Sequence, residues 1–281
     1  MTLGPPTTRS VDCVASGSTR SAIAGGTSYL TLVSNNDTGK FVWGKEGKDT
    51  ATLDCFFDEL GEQRSAAITA MSMDMGPAFE KSARKPGHAT KAVICFDPFH
   101  VVQAGTKALE KVRRSVWQDL RKLPDQDAAR RFKGARWCLL KNPGDLTDDQ
   151  AATLRKIRRR GGDLWRAYAL KEALRAIFAG DLTEDEVATL LDRFCSRAQR
   201  SGMKPFVTLA KTIRKRREGI LAAVRLGVNN ARHEGLNRRV RLIINRAYGF
   251  HTANAALGLI MVTLGPIEHV LPHERRSTTD P

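Results

Sequence analysis

Two hydrophobic periods divide this 281-residue chain, and the change falls near residue 103. Before it, short apolar runs alternate with amphipathic stretches. Tyr29–Val33 reads as a strand, NNDTGK supplies turn chemistry, and Phe41–Trp43 returns as the second arm of a hairpin. Asp49 predicts an N-cap for a helix in which Leu53, Phe56, Phe57 and Leu60 follow i, i+3, i+4, i+7 spacing. Ala66–Met73 predicts a strand ending on Asp74, and Gly76-Pro77 opens a short helix. Ala92–Phe96, five apolar residues bounded by charge, predicts a buried strand. It stops on Asp97 and places His100 three residues later. Hairpin, helix, strand, helix, strand is the order of a mixed sheet with helices against it.

From 103 to 228 the pattern becomes helical throughout. Thr147-Asp-Asp-Gln150 and Thr183-Glu-Asp-Glu186 both fit the capping box, in which hydroxyl and carboxylate or amide satisfy the first-turn amides. Helices are predicted near 103–122, 125–141, 148–160, 163–179, 184–199 and 205–225, which makes 103–228 an inserted helical subdomain. In the next helix, 229–250, Leu236, Val240, Ile243 and Ala247 form one apolar stripe. Glu234 projects roughly opposite it, with Asn230, Asn237, Arg238, Arg241 and Asn245 on the same polar side. Such a glutamate is either a salt-bridged surface residue or a metal-ligand carboxylate on a helix that meets phosphate. Asp97 carries a similar choice: it caps the following helix, with His100 packed under it, or it joins a ligand site at the strand's C-terminal end.

Composition narrows the class. Hydrophobic residues at 41% exclude a disordered chain. The net charge of +16 implies an anionic partner or strong solubility, not a particular fold. Between 201 and 250 there are twelve Lys/Arg and two acids, including Lys211, Arg214, Lys215, Arg216 and Arg217. That clustering favours nucleic acid, with Arg214, Lys215, Arg217, Asn230, Asn237, Arg238 and Arg241 the expected DNA-binding residues; a solvated basic face is the alternative. The five cysteines are scattered with no C-x-x-C pair, so a reducing, cytoplasmic setting is expected. The N-terminus has no secretory pattern. The longest apolar run, Ala255–Leu264, is too short for a membrane span, so no membrane association is expected. NNDTGKF lacks the upstream glycine of a phosphate loop. No two histidines share a helix face beside an acid. Trp137, Trp165 and Tyr168 could stack on bases, but they lie on amphipathic helices and are read as core.

Three stretches then stand in order: MSMDMGPAF (71–79), ICFDPFHVV (94–102) and GVNNARHEGLNRRVRLIINRAYGFHTANAA (227–256). With SYLTLV, DTGKFVWGKEGKDTATL, KGARWCLLKNP, LWRAYALKEALRAIF and GPIEHVLPHERR, they strongly resemble the ISL3 family of insertion-sequence transposases, over about residues 27–276. The resemblance implies an RNase H-like fold, an α/β mixed sheet of five strands with a long all-helical insertion before the last catalytic helix. It implies DDE chemistry: three carboxylates hold two Mg²⁺ ions (or Mn²⁺), water frees an element end, and the exposed 3′-hydroxyl attacks target DNA. Mg²⁺ suits such a site because it prefers oxygen ligands and keeps several waters. Two ions can serve the attacking and leaving oxygens together. By motif, Asp74 is the second acid and Glu234 the third, both metal ligands. Asp97-Pro-Phe-His100 resembles a D-x-x-H signature with a supporting role, Asp97 being an alternative ligand. The partners implied are element-end and target DNA, with homo-oligomer formation left open.

One part departs from the family. Its first acid lies about ten residues before the YLT of the hairpin, which falls here near Thr19, in ASGSTRSAIAGG, where there is no acid. Asp12 is the local candidate, some seven residues early. Residues 1–26 look unrelated to the family and are expected to be poorly ordered. Segments 27–102, 103–228 and 229–281 form the sheet region, the insertion and the helices that complete the catalytic domain. With no C-x-x-C sequence to supply them, the family's zinc-binding and helix-turn-helix segments are not expected in this sequence. The expectation is a truncated or frameshifted copy that is weakly active or inactive. A non-catalytic basic DNA-binding remnant is the alternative, and a metal-dependent nuclease ranks third.

Overall fold

The computed structural model describes residues 10–19, 28–122, 135–227, 231–247 and 250–267, with only the backbone described for 10–19, 28 and 231–234. It is a mixed α/β protein, mostly helical, with one small sheet. The chain divides into two compact units, residues 1–94 with 230–281 and residues 95–229.

The sheet has the order β3-β2-β1-β4-β5, its strands being β1 (Ser10–Thr19), β2 (Ser28–Asn35), β3 (Lys40–Glu46), β4 (Ala70–Met73) and β5 (Val93–Phe96). β1 pairs antiparallel with β2 and parallel with β4; β2 pairs antiparallel with β3. The central position of β1 is the main departure from the sequence pattern, which predicts a poorly ordered segment there. SVDCVASGST carries few large apolar residues, so its periodicity is faint. A central strand is paired through its backbone on both sides, and backbone pairing leaves no mark on side-chain pattern.

The hairpin β2–β3 follows the predicted turn. Asn35 accepts from the Asp37 and Thr38 amides at 2.8 and 3.2 Å, which holds the turn closed. The pairing shifts between Val33 and Ser34, opposite Trp43 and Phe41. The extra residue, Val42, turns Phe41 and Trp43 to opposite faces despite their spacing of two. Phe41 packs with Leu30 and Leu32 against α11 (Ala231–Arg246) and α12 (Ala253–Leu264), through Leu236, Val240, Ile244, Leu257 and Ile260. Trp43 meets Phe56 of α1 (Thr50–Leu60) at 5.7 Å. Gly44 permits the close approach of α12: a Cβ there would lie 2.8 Å from Leu257 Cδ2 and from Leu32 Cδ2.

Asp49 caps α1 as the pattern predicts, accepting from the Thr52 amide at 2.8 Å. A short helix, α2 (Glu62–Ala66), occupies the first residue assigned to a strand from Ala66, so β4 begins at Ala70. Pro77 opens α3 (Pro77–Ala83). Asp54 of α1 accepts from Ser82 and Lys85, each at 2.6 Å, and so fastens α1 to the end of α3.

In the helical unit, α4 (Pro98–Arg121) is the long central element. Around it and after it come α5 (Arg136–Leu140), α6 (Asp148–Arg160), α7 (Gly162–Ile177), α8 (Glu184–Arg200), α9 (Lys204–Lys215) and α10 (Arg217–Arg225). α4 packs on α7 and α9. Leu174 of α7 sits where a side chain at Gly105 would be, 2.9 Å from its Cβ position. Both capping boxes form, at Thr147–Gln150 and Thr183–Glu186. The helix predicted over 205–225 is broken into α9 and α10 at Arg216, which is 8% exposed. Most of the segment predicted as a helix over 125–141 lies outside the described residues; α5 is the part within them.

Candidate functional site

Asp74 follows a strand whose four residues are all buried. The chain leaves the sheet there and turns through Met75 and Gly76 into α3. Burial therefore ends at Met73, and Asp74 is exposed, with neither an ion pair nor a hydrogen bond among the described residues.

The backbone register sets Asp12 close by in the sheet. Its Cα partner on β4 is Ser72, two residues before Asp74, and its partner on β2 is Ser34. Glu234 stands in the first turn of α11, and α11 lies against β1. Leu236, Val240 and Ile244 seat that helix on the sheet, with Ile244 rather than Ile243 taking the deepest position. The strand of Asp12, the strand ending at Asp74 and the helix of Glu234 thus adjoin within one unit. The side chains of Asp12 and Glu234 are outside the described residues. Among the described residues no group of three or more His, Cys, Asp or Glu is arranged around a metal position.

Asp97 and His100 belong to the helical unit. Asp97 is 4% exposed and accepts from the Phe99 amide at 2.8 Å, capping α4. An N-cap oxygen satisfies an otherwise orphaned first-turn donor, so this carboxylate already has a structural task. His100 is half-buried in the first turn of α4, its ring edge-on to Phe99 at 5.6 Å.

The expected DNA-binding residues differ among themselves. Arg214 and Lys215 are exposed at the end of α9, and Arg238 and Arg241 are exposed on α11. Asn237 is half-buried; Asn230 lies outside the described residues. Arg217 is engaged, donating to Asp192 at 3.3 and 3.2 Å and to Glu218 at 3.3 Å. Arg216, counted with this basic run in the sequence, is buried with its guanidinium 4.9 Å from the Phe96 ring. Burial lowers its pKa and removes it from any surface contact. Trp137, read as core, is 56% exposed, because Cys138 and Leu139 take the buried side of the short α5. The run LRKIRRR at the end of α6 drew no attention in the sequence; its density of cations was the available signal.

These features define a mixed α/β protein that couples an acid-bearing sheet to a basic helical block. Residues 21–257 match a family model described as a transposase, that of the DDE transposases of ISL3-type insertion sequences, and the chain belongs to that family. It is 38% identical over 263 residues to the transposase for insertion sequence element IS1557 of Mycobacterium tuberculosis, covering 87% of this chain and 58% of that protein. It is 29% identical over 230 residues to the transposase for insertion sequence element IS1001 of Bordetella parapertussis, covering 82% of this chain and 55% of that protein. The chain therefore spans somewhat more than half the length of these relatives. No solved structure matches it. Among the described residues, no helix is long and apolar enough to cross a membrane.

Proposed function

We propose that the chain is the catalytic region of a DDE-type DNA transposase, acting on element-end and target DNA through Asp74 and Glu234, with Asp12 as the remaining candidate for the first acid. The observation that carries this reading is the adjacency of β1, β4 and α11 within one unit of a chain from a transposase family. The sheet order, with β1 antiparallel to one neighbour and parallel to the other, supports an RNase H-like fold. The division of the chain at 95 and 229 supports a helical insertion between the sheet and the Glu234 helix.

Carboxylate oxygens fit a hard divalent cation, and the unpaired carboxylate of Asp74 is available to one. Asp74 and Glu234 would hold Mg²⁺ or Mn²⁺, which when bound activates water and stabilises the leaving oxygen of a displacement at phosphorus. Asp97 and His100 take a supporting role at the start of α4.

The likeness to the family begins at residue 21, after Asp12. The first acid is thus not assigned by the family motif, Asp12 remains a candidate only, and the reading is of a weakly active or inactive copy. Strand-transfer assays with element-end oligonucleotides and Mg²⁺ or Mn²⁺ test this. Slow, metal-dependent products that vanish in Asp74→Ala are expected. Robust transfer abolished by Asp12→Ala would make Asp12 a full member of the site and overturn the weak-copy reading. The second reading, a non-catalytic DNA-binding remnant, is favoured by the free cations of the helical unit. It predicts no products at all, with DNA binding that collapses as salt is added.

A further inference from the structure

We propose that the end of α6, with α5 and the start of α7, is a DNA-backbone-binding surface of the helical unit, in which Arg155, Lys156, Arg158, Arg159 and Arg160 contact phosphates and Trp137 stacks on an unpaired base. The inference rests on the reading of the chain as a DNA-acting protein and locates a grip outside the residues assigned to it above.

The five cations are exposed. None of them forms an ion pair among the described residues; the contact made is that of Arg158, whose guanidinium lies 5.6 Å from the Trp165 ring. Several other arginines of the same unit are neutralised, whereas Arg214 and Lys215 at the end of α9 stay exposed as the α6 cations do. Arg113, Arg114 and Arg136 surround Glu110, Arg166 meets Asp163, Arg175 meets Glu172, and Arg225 meets Glu184. Along α6, Arg155 and Arg159 are four residues apart, as are Lys156 and Arg160, and like charges at that spacing repel. The helix dipole explains part of the pattern, since cations are favoured at a helix C-terminus. That effect is worth about half a charge and acts within the last turn. Arg155 and Lys156 lie a turn earlier.

The surroundings also suit a polyanion. α5 packs on α6, and α6 on α7. The reversal between α6 and α7 is made by Gly161 and Gly162, with φ of 67° and 77°, a conformation other residues rarely adopt. At this corner Lys156 and Arg160 rim a groove of about 410 Å³ with Val116, Leu120, Ile157 and Leu164 among its walls. Ala135 lines the same groove, two residues before the exposed Trp137, whose ring has the Arg136 guanidinium 5.3 Å away. Four of the five cations are arginines, whose planar donors match phosphate oxygens two at a time. An exposed indole beside such cations offers a stacking platform for a base.

Fluorescence anisotropy with a duplex oligonucleotide and a single-stranded one, titrated at several salt concentrations, tests the surface. The set Arg155→Gln, Lys156→Gln, Arg159→Gln and Arg160→Gln is expected to weaken duplex binding at least about tenfold and to make the log K against log salt slope shallower by about three. The charge-keeping set Arg155→Lys, Arg159→Lys and Arg160→Lys should keep the wild-type salt slope and lose much less affinity than the neutralising set. Trp137→Ala should cost several-fold on the single strand and little on the duplex. Should the neutralising set lose its helical circular dichroism, the pair Lys156→Gln and Arg160→Gln carries the test, with about half the change in slope. Wild-type binding that all these variants retain overturns the surface and leaves the DNA reading intact. A wild-type chain that binds neither oligonucleotide overturns the DNA reading itself, and the surface with it.

Discussion

The sheet unit and the helical unit differ in charge far more than in size. Residues 95–229 carry 29 Lys/Arg against 16 Asp/Glu, a net +13, whereas residues 1–94 with 230–281 carry 17 against 14, a net +3. Acids in the sheet unit serve local geometry. Asp49 caps α1, and Asp54 ties α1 to α3; burial raises its pKa, but hydrogen bonds from Lys85 and Ser82 outweigh this and hold it below the usual carboxylate range. Asp74, by contrast, has no hydrogen bond or ion pair among the described residues. In the helical unit cations outnumber the acids that could neutralise them. Glu110 accepts from Arg113 and Arg114 with Arg136 nearby, and the Arg113 hydrogen bond leads in lowering its pKa to about 2. The cations of α6 have no such partner among the described residues. The contrast separates a unit close to charge balance from a strongly basic one.

The largest effect expected is at the acids. Asp74→Ala and Glu234→Ala should each remove metal-dependent strand transfer while leaving DNA affinity near the wild-type value, read by gel assay and anisotropy in parallel. An affinity loss as great as that from neutralising α6 would break the division between the units.

Next come the cores. Leu174 and Ile260 are fully buried, one in each unit. Replacing either with alanine should cost about 2–5 kcal/mol. Hydrogen exchange should show lost protection mainly in the unit that holds the substitution. Equal loosening of both would mean that the two fold as one cooperative body.

Glu110 sharpens the comparison through pH. Its carboxyl falls from about 4.5 to about 2 in the folded chain, so it contributes stability above its unfolded value that is lost as pH drops from about 4.5 toward 2. The difference amounts to at most about 3 kcal/mol at neutral pH. Acid should therefore loosen α4 and its neighbours over that window, and Glu110→Gln should flatten the dependence, as followed by circular dichroism. A profile unchanged by the substitution would remove the charge cluster from the account.

The smallest effect is a cap. Thr183→Ala should destabilise the start of α8 by about 1 kcal/mol, seen as faster exchange of its first-turn amides. No change there would mean that Glu186 and the packing of Val187 suffice.

Local rules made much of this protein legible. The hairpin, the Asp49 cap, both capping boxes and the break at Gly76-Pro77 follow from side chains acting on their own backbone within a few residues. So does the capping role open to Asp97, and the family likeness follows from the order of long motifs. Four matters needed the tertiary structure: the place of β1 at the centre of the sheet, the burial of Arg216, the exposure of Trp137, and the adjacency of β1, β4 and α11. Each depends on partners distant in sequence, and strand pairing in particular is made through backbone groups that every residue carries alike. Side-chain pattern reports what a segment can become; which segments meet is decided by long-range packing and pairing.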